Sequence, residues 1–243
     1  IAVVAGYQGA TSEGDVRTLG RGGSDTSAVA LASALKAEKV EIYSDVDGIA
    51  NCDPRQISEA KFLDAVSVSQ ILSMANEGSK VIHPRAIKAA LQTQTTIVVR
   101  NTFSNAPGTT IFHGTAAEDS LQVALAHRDE MSLLVFEAET DADKLVPEMI
   151  RVDEYRFVLK NDVYLGIRVK ELQNKYGALR KENGWATISV VFDKSAPESI
   201  SPLETEIIPS SKNVICYLLK EDYLTSSLRI LYGHYISDLS TQT

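Results

Sequence analysis

Thr18-Leu-Gly-Arg-Gly-Gly-Ser-Asp25 runs directly into an apolar-periodic segment, Asp25 to Leu35. Gly20, Gly22 and Gly23 permit a tight turn and a close ligand approach. Ala28, Val29, Leu31, Ala32 and Leu35 supply one apolar side, so the segment reads as a helix capped by Ser24 or Asp25. Free N–H groups and the dipole at such a helix start favour an anion. Arg21 adds a planar fork suited to a carboxylate or phosphate. A glycine turn that merely caps a helix is the plain alternative. An arginine and a carboxylate inside the same short turn favour a site. The Gly-Lys-Ser/Thr ending of a Walker loop is absent.

Outward from this turn, short apolar strands alternate with helical patterns. Strands are predicted at Ala2 to Ala5, Val40 to Ser44 and Thr95 to Arg100. Ser67-Val-Ser-Gln70 is a capping box that opens a second helix, and Gly78 closes it. Pro84 suits the first turn of a third, whose Ile87, Ala90 and Leu91 share a face. Asn101 to Thr110 reads as loop. The alternation predicts a layered α/β domain over residues 1–114. Ile1 is not Met, and Ile1 to Ala5 reads as a buried strand already under way, so the expectation is a chain that starts inside a domain.

His113 to Ser120 is small and polar and reads as a linker. Beyond it, strands are predicted at Met131 to Phe136, Tyr155 to Leu159, Tyr164 to Val169, Ala186 to Phe192 and Asn213 to Leu218, with a helix from Tyr223 to Tyr235. Asn161-Asp162 is the expected hairpin turn between two of these strands. The order predicts one or two ferredoxin-like α+β units over residues 115–243.

The 243 residues carry a net charge of −8, with 44% hydrophobic, 7% aromatic and 23% charged residues. That is enough chain for one large domain or two ordinary ones. No basic stripe is present to neutralise phosphates, which disfavours nucleic acid and anionic membrane as partners. No apolar run approaches the roughly 20 residues that cross a bilayer. Cys52 and Cys216 have no metal-ligand spacing. With no secretory pattern read in the chain, a reduced, cytoplasmic protein is the expectation.

Two further segments carry chemistry. Tyr43 to Arg55 begins where a strand should end, the place where ligands collect on open α/β sheets. Asp45, Asp47 and Asp53 resemble a calcium loop, but the EF-hand spacing and terminal Glu are absent. A solvated turn rich in Asp-Gly and Asp-Pro is the equal alternative. Glu77 to Arg85 places Lys80 just past a helix end. There it is either solvated or set to offset charge on a transferring phosphoryl group. His83 before Pro84 reads as structural.

These segments, in this order, resemble the aspartokinase branch of the amino-acid kinase family. The resemblance starts at Val3-Val-Ala-Gly-Tyr-Gln-Gly9 and passes through Thr18 to Asp25, Glu41 to Gly48, Asp53-Pro-Arg55, Gly78 to Pro84 and Val99 to Phe103. It ends at Pro107-Gly-Thr-Thr-Ile111. It implies an amino-acid-kinase-like α/β domain, incomplete in this chain, followed by ACT-type regulatory α+β structure. It also implies transfer of the ATP γ-phosphoryl group to the side-chain carboxylate of L-aspartate, on the route to lysine, threonine and methionine. Mg2+ would be held chiefly by the nucleotide.

The family pattern implies a role for each matching residue. Arg21 would bind a carboxylate of aspartate, with Gly22, Gly23 and Ser24 shaping the pocket. Asp25 would orient lysines. Ser44 and Asp45 would contact the nucleoside end of ATP. Arg55 and Lys80 would face the phosphates beside Val81. Ala50 stands where the family often has Tyr, which leaves less nucleotide contact. The family's Lys-Phe-Gly-Gly motif should lie upstream of Ile1, so this chain alone is expected not to phosphorylate aspartate.

In the second part, Val123 to Glu130 and Lys220 to Leu231 resemble the start and close of the family's regulatory region. Glu137-Ala-Glu-Thr-Asp-Ala-Asp143 stands in place of its Asp-Arg-Pro-Gly effector loop. The resemblance leaves a lysine or threonine effector open, and an exposed edge strand in such a unit favours side-by-side pairing, so a homodimer is expected. Two alternatives stand beside the enzyme: a non-catalytic regulatory subunit, and a kinase of another small carboxylic acid on the same fold.

Overall fold

The computed structural model describes residues 1–114, 122–197 and 201–237. Most of the expected linker at His113 to Ser120 lies outside the described residues. The chain divides into two compact units. The first comprises Ile1–Ala124 with Phe192–Lys194, the second Leu125–Val191 with Ser195–Thr243.

The first unit opens with an antiparallel hairpin, β1 (Gln8–Ala10) and β2 (Val16–Thr18). Then come α1 (Gly23–Ala34), β3 (Lys39–Ser44), β4 (Ala65–Ser67), α2 (Val68–Asn76), α3 (Pro84–Thr93), β5 (Thr96–Asn101) and β6 (Thr109–Phe112). The main sheet has the order β3-β5-β6-β4. β3 runs parallel to β5, β4 runs parallel to β6, and β5 and β6 are antiparallel. Ile97, Val98 and Val99 of β5 are all buried. Such an unbroken β-branched run is what a strand covered on both faces requires. Ile71 and Met74 of α2 and Ala86, Ile87 and Ala90 of α3 are buried as well, at helical spacing.

Several local expectations hold here. Ser67 caps α2 by accepting the Gln70 N–H at 3.1 Å, and Gly78 follows the helix end with φ 112°. Pro84 opens α3, and His83 Nδ1 accepts the Arg85 N–H at 3.2 Å.

Other expectations need correction. Ala2 to Ala5 is not a strand, and Val3 and Val4 are exposed. A strand needs a ladder partner, and among the described residues none pairs with this segment. The N-cap of α1 is Gly22, with φ 71°, rather than Ser24 or Asp25. The left-handed turn at Gly22 starts the helix early and puts both side chains past the capping position. Leu31, Leu35 and Leu91 are exposed. α1 buries Gly23, Val29 and Ala32, so its packing runs through small residues and leaves the leucines outside. The capping box is half formed, because the Gln70 side chain turns away from Ser67 and donates to the Gln122 carbonyl at 3.0 Å.

The second unit contains β7 (Val123–Phe136), α4 (Ala142–Leu145), β8 (Ile150–Arg151), β9 (Arg156–Lys160), α5 (Leu165–Tyr176) and β10 (Leu179–Phe192). β11 (Glu206–Ile208), β12 (Val214–Lys220) and α6 (Leu224–Tyr232) follow. Its sheet has the order β11-β12-β10-β7-β9-β8. Arg128 meets Thr187 and Ser132 meets Asn183, so β7 and β10 run antiparallel. From β7 to β10 the chain is a βαββαβ unit with strands in the order fourth, first, third, second. This is the ferredoxin-like arrangement. β12 and β11 extend the same sheet beyond β10, and α6 follows β12 in the chain.

Tyr164 to Val169 forms the start of α5, not a strand. Leu165, Val169, Leu172 and Tyr176 recur at helical spacing and pack on Leu134, Phe136, Phe157 and Leu159. Asn161-Asp162 is accordingly a helix-entry turn rather than a hairpin: Asp162 Oδ1 accepts the Tyr164 N–H at 2.9 Å. Phe136 meets the rings of Phe157 and Tyr176 edge-on, at 5.7 and 6.1 Å. Full burial of a ring such as Phe157 contributes roughly 1.5–3 kcal/mol.

Candidate functional site

The glycine turn leaves β2 at Thr18 and enters α1 at Gly23. Four contacts shape it. Leu19 N–H donates to the Tyr7 carbonyl at 2.9 Å, and Gly23 N–H closes on the Gly20 carbonyl at 2.9 Å. Thr26 Oγ1 donates to the Gly22 carbonyl at 2.8 Å. From α3, Arg85 donates to the Leu19 carbonyl at 2.5 Å.

That last bond brings the Gly78 to Arg85 segment against the turn, and two more contacts complete the junction. The backbone of Gly22 lies against the His83 ring, leaving no room for a Cβ. The half-buried Asp25 carboxylate accepts the His83 backbone N–H. Burial raises the Asp25 pKa above 3.8, and the hydrogen bond and charge of His83 partly offset this.

Arg21 and Lys80 are both exposed, one in each segment. Neither makes a hydrogen bond or ion pair among the described residues. Ser24 is exposed and Val81 half-buried beside them. A cavity of about 540 Å³ opens next to the turn, lined by Thr18, Leu19, Thr26, Arg85, Lys88 and Gln92, with Ala89 at its wall. It does not include Arg21, Asp25 or Lys80.

Ser44 is the last residue of β3 and Asp45 follows it. Ser44 Oγ donates to Asp45 Oδ1 at 3.0 Å, and Thr102 holds the Ser44 carbonyl. Asp47 accepts from Asn101 Nδ2 at 2.8 Å and Ser104 Oγ at 2.7 Å, which lowers its pKa. Arg55 forks onto Asp53, at 3.0 and 2.7 Å. Ala50 bridges to Phe62. Among the described residues no group of three or more His, Cys, Asp or Glu could hold a metal ion. Sequence reading missed Arg85 and Tyr7 as shapers of the turn. Arg85 sits next to Pro84 in the quoted motif, but its reach across to Leu19 spans 66 positions and left no local signal.

In the second unit, the acidic loop Glu137 to Asp143 is tied down by its own chain. Arg151 pairs with Asp143 at 2.5 Å and donates to the Thr140 carbonyl at 3.2 Å. Tyr176 Oη donates to Asp141 at 2.9 Å, which lowers the Asp141 pKa.

A layered α/β unit with a glycine turn into a helix, followed by a ferredoxin-like unit, defines a two-part class. Residues 1–101 match the Amino acid kinase family. The chain is 30% identical to an aspartokinase of Pseudomonas aeruginosa, over 96% of this chain and 66% of that protein. It is 50% identical to aspartokinase 1 of Bacillus subtilis, over 45% of this chain and 27% of that protein. Among solved structures it resembles E. coli aspartokinase III in complex with aspartate and ADP, with a TM-score of 0.74 and 25% identity. That match covers 95% of this chain and 59% of the other. The same enzyme in complex with lysine and aspartate gives a TM-score of 0.73. The chain belongs to the amino acid kinase family, in its aspartokinase branch, and its second unit has the ACT-type fold. It spans less than two thirds of the curated relatives it matches.

Proposed function

We propose that this chain carries the nucleotide- and aspartate-facing portion of an aspartate kinase, within residues 1–114, followed by a regulatory region. The reaction moves the ATP γ-phosphoryl group to the β-carboxylate of L-aspartate. One observation carries the reading. Arg21 and Lys80, exposed and without partners among the described residues, sit on two segments joined at Gly22–His83, Asp25–His83 and Leu19–Arg85. Bringing two anions together demands charge compensation and positioning more than covalent chemistry. In this reading Arg21 holds an aspartate carboxylate in a pocket shaped by Gly22, Gly23 and Ser24. Lys80 and Arg55 face the phosphates, and Ser44, Asp45 and Val81 line the nucleotide. Arg55 is held in place by its fork onto Asp53. Asp25 orients the cations around it.

ATP brings Mg2+ through its phosphates, and ATP as donor together with buried free thiols favours a cytoplasmic setting. The second unit supports a regulatory role by its fold. The relative crystallised with lysine supports an amino-acid effector. The sheet of the second unit ends on the edge strands β8 and β11, and pairing of two copies through such an edge would give a homodimer. The test is to trap β-aspartyl phosphate with hydroxylamine in the protein bearing these residues. Arg21→Ala should raise the KM for aspartate at least tenfold. An unchanged KM would remove Arg21 from the pocket.

A further inference from the structure

We propose that Gln70, Gln122 and Asp193 form a binding site for a monovalent cation. All three belong to the first unit. Gln70 lies in the first turn of α2 and is fully buried, at 0% exposure. Its Nε2 donates to the Gln122 carbonyl at 3.0 Å, and the Asp193 backbone N–H donates to the same oxygen at 3.1 Å. That carbonyl has two lone pairs, and both are now used. It therefore pins three residues around one point.

What remains there is one-sided. Gln70 Oε1, Gln122 Oε1, Asp193 Oδ1 and Asp193 Oδ2 are all buried and, among the described residues, have no hydrogen-bond partner. These are four acceptors that no donor among the described residues meets. The Gln70 amide cannot simply be flipped, because its nitrogen is needed by the Gln122 carbonyl. Buried acceptors and a buried carboxylate without partners lose their hydration for nothing in return. Among the described residues no ion pair reaches Asp193.

A cation held among these three residues compensates the Asp193 carboxylate and takes up amide oxygens that otherwise go without a partner. One carboxylate and two neutral amide oxygens balance a single positive charge. Calcium sites gather six to eight oxygens, commonly from several carboxylates, and Mg2+ keeps much of its water. Water alone could donate to these oxygens but would leave the carboxylate charge without compensation. K+ or Na+ fits the set.

The experiment is a crystal of this chain soaked in thallous acetate, read by anomalous scattering. The site predicts a peak in bonding contact with Asp193 and at least one of the two glutamine oxygens, and its loss in Asp193→Asn. In solution, replacing choline chloride by KCl at equal ionic strength should raise the unfolding midpoint by roughly 5 °C. Asp193→Asn and Gln122→Met should both abolish that increment. Should Asp193→Asn fail to fold, Gln122→Met reads the same quantity. Water alone at the position, equal midpoints in the two salts, or a response to divalent ions only would overturn the assignment.

Discussion

Gly22 packs flat against His83, so closely that a methyl group on Gly22 would overlap the imidazole carbons. This contact joins the glycine turn to the segment that carries Lys80. Gly22→Ala adds a left-handed strain of about 1–2 kcal/mol to an overpacking cost of about 1–3 kcal/mol. The variant should lose about 2–5 kcal/mol by denaturant unfolding. Gly14→Ala is the control. Gly14 also has positive φ, 90°, but no atom lies within 4 Å of a Cβ there. It should lose the strain part alone, and equal losses in the two variants would remove the contact from the account.

Thr109, the first residue of β6, holds two points of the β3–β4 connection from inside the core. Fully buried, its hydroxyl accepts the Ile49 N–H at 2.8 Å and donates to the Leu63 carbonyl at 2.6 Å. Thr109→Val keeps the shape and orphans both backbone groups, at a cost of about 1–3 kcal/mol. Thr109→Ser keeps both bonds and should recover most of that loss.

At Asp25 burial works against the charge of the side chain. Its folded pKa is raised above 3.8 by burial. Between 3.8 and that raised value the native state binds more protons than the unfolded one, so stability falls as pH rises through this window. Above the window the charged carboxylate is fully destabilising. Asp25→Asn keeps an acceptor for the His83 N–H without the charge. At neutral pH its melting temperature should equal or exceed that of the wild type, and the gap should close as pH falls below 3.8. A variant less stable at neutral pH would mean that the charge is structural.

Both thiols should be silent in the native protein. Cys52 and Cys216 are each 2% exposed, and burial pushes the Cys52 pKa up to about 12. A thiol reagent at mildly alkaline pH should react with neither before denaturation and with both afterwards. Rapid native labelling of Cys52 would contradict its burial.

Much of the fold was legible because local chemistry and tertiary structure agree. Ser67, Gly78 and Pro84 mark helix ends by their own backbone preferences, and Thr96 to Asn101 announces a covered strand by its β-branched run. Legibility failed where partners far along the chain decide. Tyr164 to Val169 has strand-like residues, but its helical spacing extends to Leu172 and Tyr176, beyond the window in which it looked like a strand. Gln70 looked like half of a capping box until Gln122, 52 positions away, took its amide. At the candidate site, the residue types of the Thr18 to Asp25 turn were plain. The contacts of Gly22 and Asp25 with His83 and of Arg85 with Leu19 were not, since no spacing rule connects them.

In the proposed function Lys80 belongs to a phosphate-facing surface organised by the glycine turn. Calorimetric titration of this chain with magnesium and ADP tests it most directly. Wild type is compared with Lys80→Ala, and with Arg180→Ala, which removes an exposed cation of the second unit that is paired with Glu182. Lys80→Ala should weaken ADP binding by about tenfold or more, about 1.4 kcal/mol, while Arg180→Ala should leave it unchanged. Equal affinity in all three proteins, or no ADP binding by the wild type, would contradict it.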